Sequence, residues 1–219
     1  MESKMTEITK TEEVKEEKID KKTQEKAVKW FLIILAVLFI AFLLFITYYT
    51  TTKQSEIAFD YNGFSFEKDK VFGYQLKLYI NQADYPAIIQ VRNKPQDLED
   101  IPIDDIAFLA EAKQIYVTLD PAKNLTGKTT IAALEIDAIL DNPYLYEIPV
   151  NSSFTQEYGN TTIKTCEDAT TEEVIIELML SEETTVTVVE KCIQIKGKTE
   201  EDIIRGADRL ILTLLGVML

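Results

Sequence analysis

The chain has 219 residues, 46% of them apolar, enough for one domain of ordinary size with a real core and some added segments. It contains no histidine and only two cysteines, which excludes Ser-His-Asp and Cys-His catalysis and any zinc site built from four Cys or His ligands. Its net charge of −14 repels phosphate backbones and excludes nucleic-acid binding.

Residues 1–29 are a mixed Glu/Lys leader in which eight lysines balance eight carboxylates, so the 15 basic and 29 acidic residues that follow carry the whole −14. With few apolar residues to bury, the leader reads as a charged cytoplasmic tail. Residues 30–49, "WFLIILAVLFIAFLLFITYY", hold no charge, Gly or Pro. About 20 such residues at ~1.5 Å rise cross a ~30 Å hydrocarbon layer, so this segment is expected to be a single transmembrane helix in contact with lipid. Trp30 and Tyr48-Tyr49 fall where aromatic belts lie. The length of the run and the absence of a small-x-small cleavage site argue against a cleaved signal peptide. Ionisable residues and small-xxx-small spacing are both missing from the span, which reads as a plain anchor.

Lys21, Lys22, Lys26 and Lys29 crowd one flank and Lys53 alone follows the other, so the positive-inside rule places the amino terminus in the cytoplasm and the rest of the chain outside the cell membrane. Asn124, Asn151 and Asn160 each begin an N-glycosylation sequon beyond the span, in keeping with that orientation.

Residues 50–57 form a short stalk, and an extracytoplasmic domain is expected over 58–219. It opens with β signals: Asn62-Gly63 between alternating aromatics is a hairpin cue, followed by strands at "YQLKLYI" and "PAIIQVR" around the turn "NQAD". From residue 101 the pattern alternates α and β: a short helix near "DDIAFLAEA", a strand over 114–120, a helix over 129–141, then "YEIPV". Next come "EVIIELML" and "TTVTVVEKCIQIKG", read as a β pair joined through "SEE". Thr199 with Asp202 starts a last amphipathic helix, with Arg205, Asp208 and Arg209 expected on its wet face. The fold class is therefore α/β, with α+β as the alternative: one sheet-and-helix domain behind a single membrane helix.

Three features carry candidate chemistry. Gly127-Lys128-Thr129 between a strand and a helix resembles the end of a phosphate-binding loop, but Ala122 stands at the first glycine position, directly after Pro121, which has no amide proton to offer. A βα connection in which Thr129 or Thr130 caps the helix is expected, with no nucleotide. Asp97, Glu99, Asp100, Asp104 and Asp105 form an acidic cluster that could hold paired carboxylates for hydrolysis, or simply a solvated loop. Cys166 and Cys192 lack an activating base and lie near Glu167, Asp168 and Glu190, which points to a structural disulfide and not a catalytic thiol. No catalytic, cofactor or metal residue is assigned.

Several stretches, "IYVTLDP", "TIKTCEDAT", "KCIQIKGKTEEDII" and "GADRLILTLLGVM", resemble a group of single-pass membrane proteins of small-genome archaea without an assigned activity. The resemblance runs from about Phe64 onward and implies an archaeal surface location and paired cysteines, but no site. The function expected is a membrane-anchored binding or assembly module that meets another surface protein or itself. A surface hydrolase using paired carboxylates is the alternative.

Overall fold

A computed structural model describes Lys26 and residues 29–47, 57–80 and 86–219. Most of the leader, Tyr48-Tyr49, nearly all of the stalk and the "NQAD" turn lie outside the described residues. The chain divides into two units, Met1–Gln54 and Ser55–Leu219.

In the first unit, helix α1 (Lys29–Thr47) is long and apolar enough to cross a membrane. Its apolar side chains, from Trp30 through Ile46, are exposed on every face. A helix that is apolar all round has the composition of a membrane span or a signal sequence.

The second unit contains two sheets, not the single sheet expected. The first is an antiparallel meander of β1 (Ile57–Tyr61), β2 (Phe64–Asp69), β3 (Gly73–Leu78) and β4 (Ala87–Val91), paired in that order. The hairpin cue is realised: Asn62 and Gly63 both take positive φ, 47° and 83°, as a tight two-residue turn requires. Phe66, Leu76, Ile89 and Val91 point to one face and are buried. The second sheet has the order β6-β5-β7-β9-β8, built from β5 (Gln114–Leu119), β6 (Val150–Phe154), β7 (Glu173–Leu180), β8 (Thr185–Val189) and β9 (Cys192–Gly197). Strands β6, β5, β7 and β9 are parallel, and β8 returns antiparallel along β9 at the edge.

This ordering corrects the expected β pair. "TTVTVVEKCIQIKG" is itself a hairpin, turning at Glu190 with φ 57°, and its second arm, not its first, lies against β7. "YEIPV" is the approach to β6, with Ile148 N donating to Leu140 O before the strand begins at Val150. The short helix near residue 107 is a 3-10 turn, Ala107–Glu111.

Helices α2 (Gly127–Leu140) and α3 (Glu200–Leu214) pack on each other. Helix α3 lies against β7, β8 and β9, while its other side meets the segment that follows β4. Nine of the ten residues 203–212 are buried, so α3 is a central helix. Asp208 and Arg209 are therefore buried and not on a wet face, because the segment after β4, from Arg92 to Ile101, together with Leu219 covers the side that helical periodicity assigns to water, while Arg205 is half-buried and pairs with Asp100. Gly206 permits this close packing, since a Cβ there would stand 2.6 Å from Ile195 Cγ2. One continuous core of Phe66, Leu76, Leu98, Ile136, Ile176, Leu210 and their neighbours joins both sheets to the helix pair.

Among the described residues, no α-helix packs on the opposite face of the parallel sheet. Residues 155–172 cross it as a strap, held by Thr118 Oγ1 donating to Lys164 O at 2.9 Å, by Lys164 Nζ on Glu173 at 2.7 Å, and by a Cys166–Cys192 disulfide with Cα atoms 5.2 Å apart.

Candidate functional site

In an open parallel sheet, ligands bind beyond the carboxyl ends of the strands where the strand order reverses, and here that point lies beside β5. The Gly-Lys-Thr stands at this edge. Asp120 accepts from Ala122 N at 2.9 Å to close a turn, Asn124 takes φ 50°, and α2 begins. The cap is Thr126, receiving Lys128 N at 3.3 Å, and not Thr129 or Thr130 as expected, because the helix starts earlier, at Gly127, and Thr129 is buried in its first turn.

The slot a phosphate would fill is taken by a carboxylate of the chain. Glu200 Oε2 accepts from Thr126 N (2.8 Å), Thr126 Oγ1 (3.0 Å), Thr129 N (3.2 Å) and Thr129 Oγ1 (2.8 Å). Burial opposes ionisation of Glu200, but these bonds outweigh it and hold its carboxyl below the ordinary carboxylate range. An anion at a helix amino terminus is stabilised by the free N–H groups and the dipole, and Glu200 supplies that anion internally. Lys128 turns to Glu201 as an exposed ion pair. Glu200 opens α3, so the two helix starts are stitched together.

The acidic cluster is dispersed. Asp97, Glu99, Asp100, Asp104 and Asp105 are all exposed. Tyr61 OH donates to Glu99 (3.0 Å), Arg205 to Asp100 (3.0 Å), Val188 N to Asp104 (2.8 Å) and Ala107 N to Asp105 (2.9 Å). Each secures a loop, and these contacts bring no two of them together as a pair.

A different pair is brought together. At the end of β4, Arg92 Nε donates to Glu135 Oε1 on α2 at 2.6 Å. Asp208 on α3 accepts at Oδ2 from Arg92 N (3.1 Å), Asn93 N (2.8 Å) and Asn93 Nδ2 (2.8 Å). Glu135 Oε2 and Asp208 Oδ1 are both buried without a hydrogen-bond partner. Burial pushes Glu135 up, and burial together with the Glu135 charge pushes Asp208 up to about 7. Glu135 and Arg92 border an open groove of about 240 Å³ between β4 and α2, whose apolar wall includes Phe72, Ile88, Leu134 and Ala138. Ile88 and Leu134 are 57% and 60% exposed, which gives this groove an apolar, solvent-facing wall.

The third constellation lies under the strap. In the parallel ladder Ile175 stands beside Cys192 and Glu177 beside Gln194, so alternation puts all four on the strap side of the sheet. Cys166 comes down from the strap onto Cys192. Glu177 Oε2 lies 3.2 Å from Cys166 Sγ and accepts from Gln194 Nε2 at 3.1 Å. The ligand atoms of Cys166, Glu177 and Cys192 fall within 4.8 Å of one another.

Asn124, Asn151 and Asn160 are exposed. Sequence reasoning missed Glu200, Glu135, Asp208 and Glu177. Of these only Glu177 carries a local signal, a single carboxylate inside the apolar strand "EVIIELML". Comparison of the chain with protein-family models, with curated proteins and with solved structures gives no match.

Proposed function

We propose that the protein is a single-pass membrane protein whose α/β domain faces out of the cell and works by binding or assembly at the surface, its occupant another surface protein or a second copy. The observation that carries this reading is the exposed apolar groove beside the Arg92–Glu135 pair. Exposed apolar surface rimmed by polar groups marks interaction sites, and the ion pair at its edge supplies orientation. The Gly-Lys-Thr turn supports the same reading, because Glu200 occupies the place of a nucleotide phosphate.

Crosslinking in native membranes tests it. The full-length chain is expected to crosslink to a surface protein or to itself in a salt-sensitive way, and Leu134→Asp, at an exposed position, to abolish the product without unfolding the domain. A crosslinking pattern unchanged by Leu134→Asp and by Ile88→Asp overturns the reading.

One observation favours the hydrolase instead. Glu135 opens on the groove with Asp208 behind it, a carboxyl whose proton is retained near neutrality. In that reading Glu135 meets the substrate. Turnover on a glycoside or ester that is lost in Glu135→Gln, together with failed crosslinking, selects it.

A further inference from the structure

We propose that the Cys166–Cys192 pair and Glu177 form, in the reduced protein, a site for one thiophilic divalent cation of the zinc class, closed and opened by oxidation and reduction of the pair. Two of the three ligands are set by backbone geometry. Cys192 and Glu177 lie on neighbouring parallel strands on the same face of the sheet, and the ladder between β7 and β9 fixes their separation. The third ligand, Cys166, sits on the strap, in a turn where Thr165 and Asp168 cap each other reciprocally.

The surroundings of Glu177 add to this geometry. Its Oε2 stands 3.2 Å from Cys166 Sγ. A disulfide sulfur has no proton to give, so this contact brings a carboxylate against sulfur lone pairs and gains nothing from the disulfide. The same atom placed beside a thiol receives a proton, and placed beside a metal ion supplies a ligand. Gln194 Nε2 steadies that oxygen at 3.1 Å, as outer-shell donors do for metal-bound carboxylates. The three ligand atoms fall within 4.8 Å of one another, and because two of them are bonded as a disulfide, reduction must first let Cys166 on the strap draw away from Cys192 before an ion with metal–ligand bonds of ~2.0 to 2.3 Å fits among them. Cys192 is fully buried while Cys166 is partly exposed, so the fourth position opens on the Cys166 side, where solvent can enter. Two thiolates and one carboxylate favour zinc over magnesium or calcium, which prefer all-oxygen shells.

The chemistry balances with a dithiol reductant. Its thiolate attacks Cys166, the accessible sulfur, and the Cys166–Cys192 bond breaks to release the Cys192 thiolate. The second reductant thiol then displaces Cys166, and the reductant leaves as its own cyclic disulfide. Two electrons and two protons have passed to the pair. Zinc then displaces the thiol protons to solvent and takes Glu177 as its third ligand. The proposal does not rest on the orientation of the domain: an outward domain holds the closed disulfide, and an inward one would hold the ion.

The test uses the full-length protein in detergent, reduced with a dithiol and freed of excess reductant, titrated with Co²⁺ and Zn²⁺. The expected result is one Co²⁺ per chain with thiolate-to-cobalt charge-transfer absorption and the visible bands of a tetrahedral ion. Zn²⁺ should displace it, and the oxidised protein should show no signal. Glu177→Gln keeps both thiols and should weaken binding by at least about tenfold, the loss typical even for outer-shell partners. Cys192→Ser should remove most of the charge-transfer intensity. Because cysteine variants can fail to fold, the zinc-induced rise in melting temperature of the reduced wild-type chain is measured beside them. Absence of stoichiometric Co²⁺ binding overturns the proposal, as does a spectrum unchanged in Glu177→Gln, which would reduce Glu177 to a proton partner of the thiol.

Discussion

Asp208 shows what one buried carboxyl can do to the stability profile of the domain. Its folded pKa of about 7 lies far above the ordinary value of 3.8, so the folded state keeps a proton that the unfolded chain has lost. Stability from this group is greatest at low pH and falls as pH rises from the ordinary carboxylate range through about 7. Glu135, raised by burial, has the same sign. Asp69, Asp168 and Glu200 are lowered, so their contributions fade only as pH falls below the ordinary carboxylate range and do not act in this window. Urea unfolding at pH 5.5 and pH 8 should therefore find the wild type more stable at the lower pH, with Asp208→Asn shrinking the difference. The amide oxygen can keep the bonds from Arg92 and Asn93 while its NH₂ faces Glu135, so this variant is expected to fold well. Asp208→Ala should instead cost about 1 to 3 kcal/mol, because buried donors lose their acceptor. A pH difference identical in wild type and Asp208→Asn would show that the carboxyl is ionised throughout.

Among the elements, α3 explains most of the gap between pattern and structure. Its start was legible, since Thr199 accepts from Asp202 N at 3.2 Å as the capping pattern indicates. Its wet face was not, because periodicity reveals which side is apolar and nothing of what covers the polar side. The meander β1–β4 was readable strand by strand, including the Asn62-Gly63 turn, yet its packing on α3 through Arg92 and Asn93 depends on contacts more than a hundred residues apart. The same limit hid Glu200, whose hydrogen bonds to Thr126 and Thr129 span over seventy positions. Gly206 tests the close approach directly. Gly206→Ala would bring a methyl against Ile195 and should destabilise by about 1 to 3 kcal/mol in denaturant unfolding despite the better helix propensity of Ala. A neutral effect would mean that β9 yields at no cost. The cysteine pairing, by contrast, could be read from the sequence because the chain offers only one intramolecular pair, and its closed loop of about 27 residues should contribute roughly 3 to 4 kcal/mol that Cys166→Ser loses.

At the scale of the whole molecule, the apolar helix and the domain raise one question, which side of a membrane the domain occupies. Helix α1 is apolar throughout, and at 19 residues it reaches roughly 28 Å, about the thickness of a hydrocarbon layer. The proposed outward domain rests on the lysines before the helix, the sequons at exposed Asn124, Asn151 and Asn160, and the disulfide. These are independent signals: loop charge acts at insertion, while glycosylation and oxidation act after translocation. Protease added to intact cells is therefore expected to remove the chain beyond about residue 50 while an amino-terminal tag survives. Alkylation of protein from those cells should find no free thiol until a reductant is added. Protection of the carboxyl-terminal domain together with two alkylatable thiols would place it inside, with Cys166, Cys192 and Glu177 in the reduced state that favours a bound ion. Protection with the disulfide intact would point to a closed oxidising compartment, and the binding reading would then need a partner from within that compartment.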